Sequence, residues 1–279
     1  MKRISYSSLV LAAVMMLAAG LAIADPLTCP GYTPTPNSAV VNARVFNDCP
    51  DTDLTVTNAY PASICILDSG DGCTGTNLHS WSFSEDGITK AAFENCSHYR
   101  FAAVFKMCTQ YGEGGLRLSP WWSENVDGRF MVNVANGEIA CFGGRLPFYS
   151  FTAAYGLHYV QGQEIWMQIT YAPNDLMETD PPLPTAPNAA TIEYQLYYQG
   201  VGYTSGKLPF DQGNPAEAAE HGLWGELYPA YAGGYVQAPN WNQGAPFCTA
   251  VSWSNIEFEG PSATPANNTT WGQLKNLYR

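Results

Sequence analysis

Two glutamates sit in a setting that could do chemistry. Glu164 lies in "EIWMQIT" and Glu193 in "TIEYQLYY". Hydrolysis of a glycosidic bond normally needs two carboxylates facing each other across the sugar. Side chains alternate along a strand, so Glu164, Trp166 and Gln168 share one face while Ile165, Met167 and Ile169 take the other. Glu193 shares its face with Gln195 and Tyr197. If the two strands are neighbours, two acids and two aromatics share one groove. Alternation on any solvated strand gives the same string, so a purely structural reading stands beside the catalytic one. Glu226, in "GLWGELYP", is a third acid with no better claim. Other chemistries leave no trace: there is no G-x-S-x-G, no H-E-x-x-H, no P-loop and no G-x-G-x-x-G after a strand. His79, His98, His158 and His221 are scattered without ligand spacing and read as structural or surface residues.

Aromatic residues offer binding rather than turnover. Trp and Tyr lay their faces on the apolar C–H patches of a sugar ring while the polar tip stays wet. Trp121, Trp166, Trp224, Tyr231, Tyr235 and Trp241 are the candidates, and apart from Trp166 they lie in segments rich in Gly and Pro. "LWGELYPAYAGGYVQAPNWNQ" carries most of them and has no strand alternation in its middle, so it reads as a loop, either binding sugar or packed back as a lid. The parity of "GLRLS" points Leu116 and Leu118 inward, which turns Trp122 inward and frees Trp121. Calcium is the candidate cofactor, because hard cations take carboxylates and carbonyls on loops. "DSGDG" (68–72) and "ENVDG" (124–128) could each supply part of a site, although Asp-Gly is also a plain turn signal.

Short alternating runs must position these residues. Val41, Ala43 and Val45 share one parity, and Leu54, Val56, Ile64 and Ile66 follow. "GLRLS", "RFMVNV" and "EIACF" are three runs of which the last two flank Asn136-Gly137, a strong hairpin signal. "FYSFTAAY", "EIWMQITY", "ATIEYQLYYQG" and "VSWSNIEFEG" complete the set. Helical signals are few: residues 214–224 suit a short surface helix. This pattern predicts an all-β chain, a two-sheet antiparallel jelly-roll sandwich with few short helices.

The compartment follows from the termini, the cysteines and the charge. Lys2 and Arg3 precede an apolar run ending in Ala22-Ile23-Ala24, a secretory signal peptide over residues 1–24, too short for a comfortable membrane span. A Pro-rich leader (25–37), a sandwich domain (38–260) and a linker with a short C-terminal tail (261–279) complete the expected organisation. Eight cysteines, an even number in an exported chain, predict disulfides. Loop length favours Cys65–Cys73 and Cys96–Cys108, and Cys141–Cys248 would staple distant strands. The chain has 12 basic and 24 acidic residues, a net charge of −12, which falls to −14 once Lys2 and Arg3 are removed. Such a surface repels phosphate backbones and excludes nucleic acid as a partner; neutral polysaccharide, cations and other proteins remain open.

The strand rhythm from "GLRLSPWWS" through "RFMVN", "EIACFGGRLPFYSF" and "EIWMQITYAPN" to the closing "VSWSNIEFEG" resembles the concanavalin A-like lectin/glucanase superfamily, in a secreted bacterial form, over roughly residues 40 to 260. The resemblance implies two curved antiparallel sheets whose concave face or rim loops hold sugar. Glucanases of that superfamily often carry E-x-D-x-x-E on one strand, and that string is absent here. The reading is therefore an extracellular or cell-surface, lectin-like protein that binds a polysaccharide or glycan. A jelly-roll glycoside hydrolase or polysaccharide lyase using Glu164 and Glu193 is one alternative. A structural cell-surface or filament protein that self-associates through its aromatic loops is another. The end "TTWGQLKNLYR" is similar to short tails on exported bacterial proteins, and its linker "GPSATPANNTT" has the composition of a flexible tether. Deleting residues 262–279 should leave the melting temperature unchanged; a drop of several degrees would assign the tail to the fold.

Overall fold

A computed structural model describes residues 34–72, 74–93, 98–120, 123–125, 127–144, 146–172, 190–209, 229–238 and 246–260. The expected signal peptide, the helix at 214–224, the tail, and Trp121, Trp224, Glu226 and Trp241 lie outside these residues. Fourteen strands follow in chain order: β1 (Ser38–Asn47), β2 (Asp53–Ala59), β3 (Ser63–Gly70), β4 (Asn77–Ser84), β5 (Tyr99–Cys108), β6 (Glu113–Pro120) and β7 (Arg129–Asn133), then β8 (Ile139–Phe142), β9 (Tyr149–Ser150), β10 (Glu164–Ala172), β11 (Thr191–Tyr198), β12 (Val201–Pro209), β13 (Ala230–Ala238) and β14 (Phe247–Glu259). They form two seven-stranded sheets, β1-β4-β13-β6-β7-β8-β9 and β12-β11-β10-β5-β14-β3-β2. Every pairing is antiparallel. The two-sheet antiparallel jelly roll is the observed fold.

Alternation does what the sequence suggests in most strands. Ile165, Met167 and Ile169 of β10, Leu116 and Leu118 of β6, and Phe130 and Val132 of β7 enter one core between the sheets. The Asn136-Gly137 corner closes β7 onto β8, and Gly137 takes the left-handed φ of +75° that this turn requires. In β1 the register shifts between Asn42 and Phe46, around Arg44 at φ +56°. Val41 therefore packs on the main core while Val45 packs on a second cluster with Leu78 and Tyr235.

Two segments depart from expectation. "FYSFTAAY" is not one strand: β9 is two residues long, and α1 (Phe151–Tyr155) follows it. The Ser150 hydroxyl caps α1 by accepting from the Ala153 N–H, which ends the strand there. The larger correction is "AYAGGYVQA". The sequence gives no alternation there, yet it is β13, a central strand between β4 and β6. Glycine is the reason. A Cβ on Gly234 would meet Trp81 Nε1 at 2.4 Å and Trp253 Nε1 at 2.5 Å. The missing side chain is the space that two buried indoles occupy, edge to face at 6.2 Å, one from each sheet.

The expected disulfide pairings do not form. Cys65, Cys108, Cys141 and Cys248 are free thiols, whereas Cys49 is disulfide-bonded. Cys141 is buried in the core from the first sheet and Cys248 is exposed on the second, so no bond can join them. Gly234→Ala should destabilise the fold by about 1–3 kcal/mol, the usual cost of overpacking a filled core, measured by urea unfolding; an unchanged midpoint would mean the tryptophans can yield.

Candidate functional site

The second sheet carries the two glutamates. β10 and β11 are neighbours, and Trp166 lies opposite Tyr197, Gln168 opposite Gln195, and Thr170 opposite Glu193. Glu164, Trp166, Glu193 and Tyr197 thus share the outer face, as alternation predicts. The register keeps the acids apart. Glu164 is six positions along β10 from the residue facing Glu193, about 20 Å at the rise of a strand. A glycosidase pair is separated by about 5–9.5 Å. Glu193 has a local role instead. Glu164 is exposed opposite Lys106. Glu193 accepts from the Gln195 amide at 2.9 Å and the Thr204 hydroxyl at 2.6 Å. The Gln168 amide donates to Gln195 Oε1, and Arg100 donates to Gln168 and pairs with Glu259. Trp166 is buried with Ala102 and Val104. This face is a satisfied polar ladder beside an apolar patch.

Tyr231 and Tyr235 are on the other sheet. They point out from β13, so the aromatic candidates among the described residues are divided between opposite sides of the sandwich. Around these tyrosines the register collects polar groups that strand-by-strand reading did not single out. Ser82, Gly233, Arg117 and Arg129 form one row across β4, β13, β6 and β7. Ser80 and Tyr235 stand in the next row, and Ser119 faces Tyr231. The outer face of a sheet normally meets water, yet Ser80, Ser82, Arg117, Ser119 and Tyr235 are all buried.

Arg117 is the unusual member. It is 1% exposed and touches no carboxylate among the described residues. One guanidinium nitrogen donates to the Glu124 carbonyl and another to the Ser82 hydroxyl at 2.6 Å. Among the described residues its Nε and the Ser80 hydroxyl have no hydrogen-bond partner. Burial, only partly offset by the Glu124 charge, lowers its pKa to about 10, so it stays cationic at neutral pH. Burial and the Arg117 charge also lower the pKa of Lys90, whose ammonium lies 3.5 Å from the Glu124 carboxylate and 5.7 Å from the Tyr231 ring centroid. Arg129 makes a second cation–ring contact, 5.2 Å over Tyr235, and pairs with Glu113. The Tyr235 hydroxyl donates to Glu113 at 3.2 Å, and burial with the Glu113 charge raises its pKa well above that of an ordinary tyrosine. Two cations over two rings, with a third on the neighbouring strand, fit an oxygen-rich ligand bearing negative charge.

The two acidic loop motifs have other partners. Asp68 of "DSGDG" points inward and accepts from Asn77 at 2.7 Å and from His79 Nε2 at 3.0 Å. The Arg44 N–H donates to His79 Nδ1, so the imidazole proton sits on Nε2 and is given to Asp68. Burial pushes the Asp68 carboxyl up, but hydrogen bonds from His79, Thr52 and Asn77 outweigh it and lower the pKa. In "ENVDG", Glu124 is held by Lys90 and the Asp127 carbonyl accepts from Ser119. Among the described residues no group of three or more His, Cys, Asp or Glu is placed to hold a metal ion. Sequence reasoning missed Arg117 and Arg129, though a signal was present. Both are cations at outward parity inside apolar strands, in a chain with only 12 basic residues.

No protein-family model and no curated protein matches the chain. Solved structures are similar in fold at low identity. The Lotus tetragonolobus seed lectin is 10% identical with a TM-score of 0.42, covering 82% of this chain and 96% of its own. The alginate lyase AlgAT5 from polysaccharide lyase family 7 is 12% identical with a TM-score of 0.37, covering 75% and 82%. A second family 7 alginate lyase, in complex with product, is 8% identical at 0.41, covering 74% and 83%.

The two arginines should respond differently to loss of charge. Arg117→Met, which removes a buried cation lacking a carboxylate, should hold stability within about 1 kcal/mol of wild type. Arg129→Met strands Glu113 and should cost about 2 kcal/mol. Denaturant midpoints of both variants check this, and equal losses would refute it.

Proposed function

We propose that the protein is an extracellular carbohydrate-binding protein, lectin-like in holding a saccharide without cleaving it, and that the saccharide lies across the outer face of the first sheet. The observation that carries this reading is Arg117. Burying a guanidinium against a carbonyl and a hydroxyl alone is costly, and a sandwich of this kind does not need a cation there to fold. Its position opposite Arg129 and near Lys90, the two cations that lie over Tyr235 and Tyr231, gives it a purpose. The half-buried Tyr231 ring supplies flat apolar contact for sugar C–H groups, and the partly exposed Lys90 and Arg129 supply donors for hydroxyl and carboxylate oxygens. In a chain of net charge −12 this gathering of positive groups favours a carboxylated saccharide over a neutral one. Binding is favoured over cleavage because the groups that would move protons are already committed. The Tyr235 proton is given to Glu113, and Glu113 is held by Arg129.

A glycan array of neutral and uronic acid-containing polysaccharides, paired with assays for reducing ends and for unsaturated product, tests the proposal. Binding to an acidic glycan without turnover is expected, weakened at least tenfold in Lys90→Gln and in Tyr231→Ala. Turnover would replace the reading with a lyase or hydrolase. Absence of binding together with concentration-dependent assembly would replace it with a structural role.

A further inference from the structure

The opposite side of the sandwich holds an unassigned feature, a group of thiols on the outer face of the second sheet. β14 lies between β3 and β5. Along its outward parity Cys248, Ala250 and Ser252 follow one another. Ala250 faces Leu67 on one side and Cys108 on the other, while Ser252 faces Cys65 and Lys106. Three cysteines therefore surround Ala250 on one surface. Cys65, Cys108, Leu67, Ala250 and Lys106 line an open cavity of about 440 Å³. Cys108 and Cys248 are both exposed, and Cys65 is half-buried.

One pair among them comes close to disulfide reach. Cys65 and Cys108 are separated by the whole of β14, two interstrand spacings, about 9–10 Å, too far for a bond that needs Cα atoms within about 7 Å. Cys108 and Cys248 are on adjacent antiparallel strands and diagonal across one register step, about 7–8 Å apart at Cα and less at Cβ. The remaining gap falls where the backbone can yield. Cys108 is the last residue of β5, and Cys248 is the second of β14 and, among the described residues, is paired with Ser69 alone. Closing it disturbs only the ends of the β5–β14 and β3–β14 ladders.

We propose that Cys108 and Cys248 are a dithiol–disulfide couple that ties the end of β5 to the start of β14, with a small-molecule or enzyme disulfide as the oxidant. The thiolate of one cysteine attacks the oxidant's disulfide, forming a mixed disulfide and releasing one thiol. The second thiolate attacks the protein sulfur of that mixed disulfide, forming the Cys108–Cys248 bond and releasing the other thiol. Two protein thiols lose two protons and two electrons, and one oxidant disulfide becomes two thiols. Because the couple is exposed and closes only with a local shift, it belongs among the readily reduced disulfides rather than the inert structural ones.

Full-length protein equilibrated in glutathione disulfide, then alkylated and mapped by peptide mass spectrometry, decides the matter. The expected product is a monomer with a Cys108–Cys248 cross-linked peptide, lighter by two hydrogens than the dithiol. Alkylation of both residues should fall at least tenfold and recover with dithiothreitol. Cys65→Ser should leave the cross-link intact, and Cys108→Ser should leave Cys248 capped by glutathione. Separate capping of Cys108 and Cys248 in wild type, a cross-link through Cys65, or a disulfide-bonded dimer would overturn the proposal.

Discussion

The contact on which the molecule depends is the meeting of Trp81 and Trp253 over Gly234. The first indole comes from β4 of one sheet and the second from β14 of the other. Trp253 Nε1 donates to the Gly115 carbonyl at 2.9 Å, so the second sheet is hydrogen-bonded to the backbone of the first as well as packed on it. Phe105 lies at 5.6 Å from Trp253 and Phe83 at 5.2 Å from Trp81, and both residues are fully buried. Large rings in a dry interior contribute area and edge-to-face geometry together. They fit because β13 passes them without side chains. The same strand then projects Tyr231 and Tyr235 on its far side. The packing centre and the polar face are two sides of one nine-residue strand.

The two outer faces of the sandwich solve different problems. On the second sheet, Gln168, Gln195, Glu193 and Thr204 satisfy one another, and Arg100 is shared between Gln168 and Glu259. Such a ladder joins its polar groups to one another and leaves little to offer a ligand. On the first sheet the accounting does not close. Arg117 and Ser80 keep polar atoms without partners in a buried setting, and three cations crowd near two tyrosines. Groups that lack partners inside a protein are the ones that a bound molecule can satisfy.

The buried Asp68–His79 pair sits apart from both faces and has a mechanical purpose. Asn77, fully buried, bonds to Asp68 and also to the backbone of Cys49, and His79 receives the Arg44 N–H at the β1 bulge. One polar knot therefore fixes the bulge in β1, the end of β4 and the oxidised Cys49. A motif that reads as a surface calcium loop is at its first residue an interior hydrogen-bond centre.

Whatever depends on nearest neighbours along the chain was legible in the residues alone. Two-residue alternation set which sides of β6, β7, β10 and β11 face inward, and Asn136-Gly137 set a corner. Alternation also placed Glu164 and Glu193 on one face, because parity is a property of a single strand. Register is not. How far β11 slides along β10 is decided by packing across the interface, and that slide separates the two acids by about 20 Å. The same holds for β13, whose glycines look like a loop until two tryptophans from distant strands fill the space beside them. Arg117, Arg129, Lys90 and Tyr235 come from separate elements, and no spacing along the chain announces their meeting. Only tertiary structure brings them to one face, because strand order and register, unlike parity, are fixed by contacts between residues far apart in sequence.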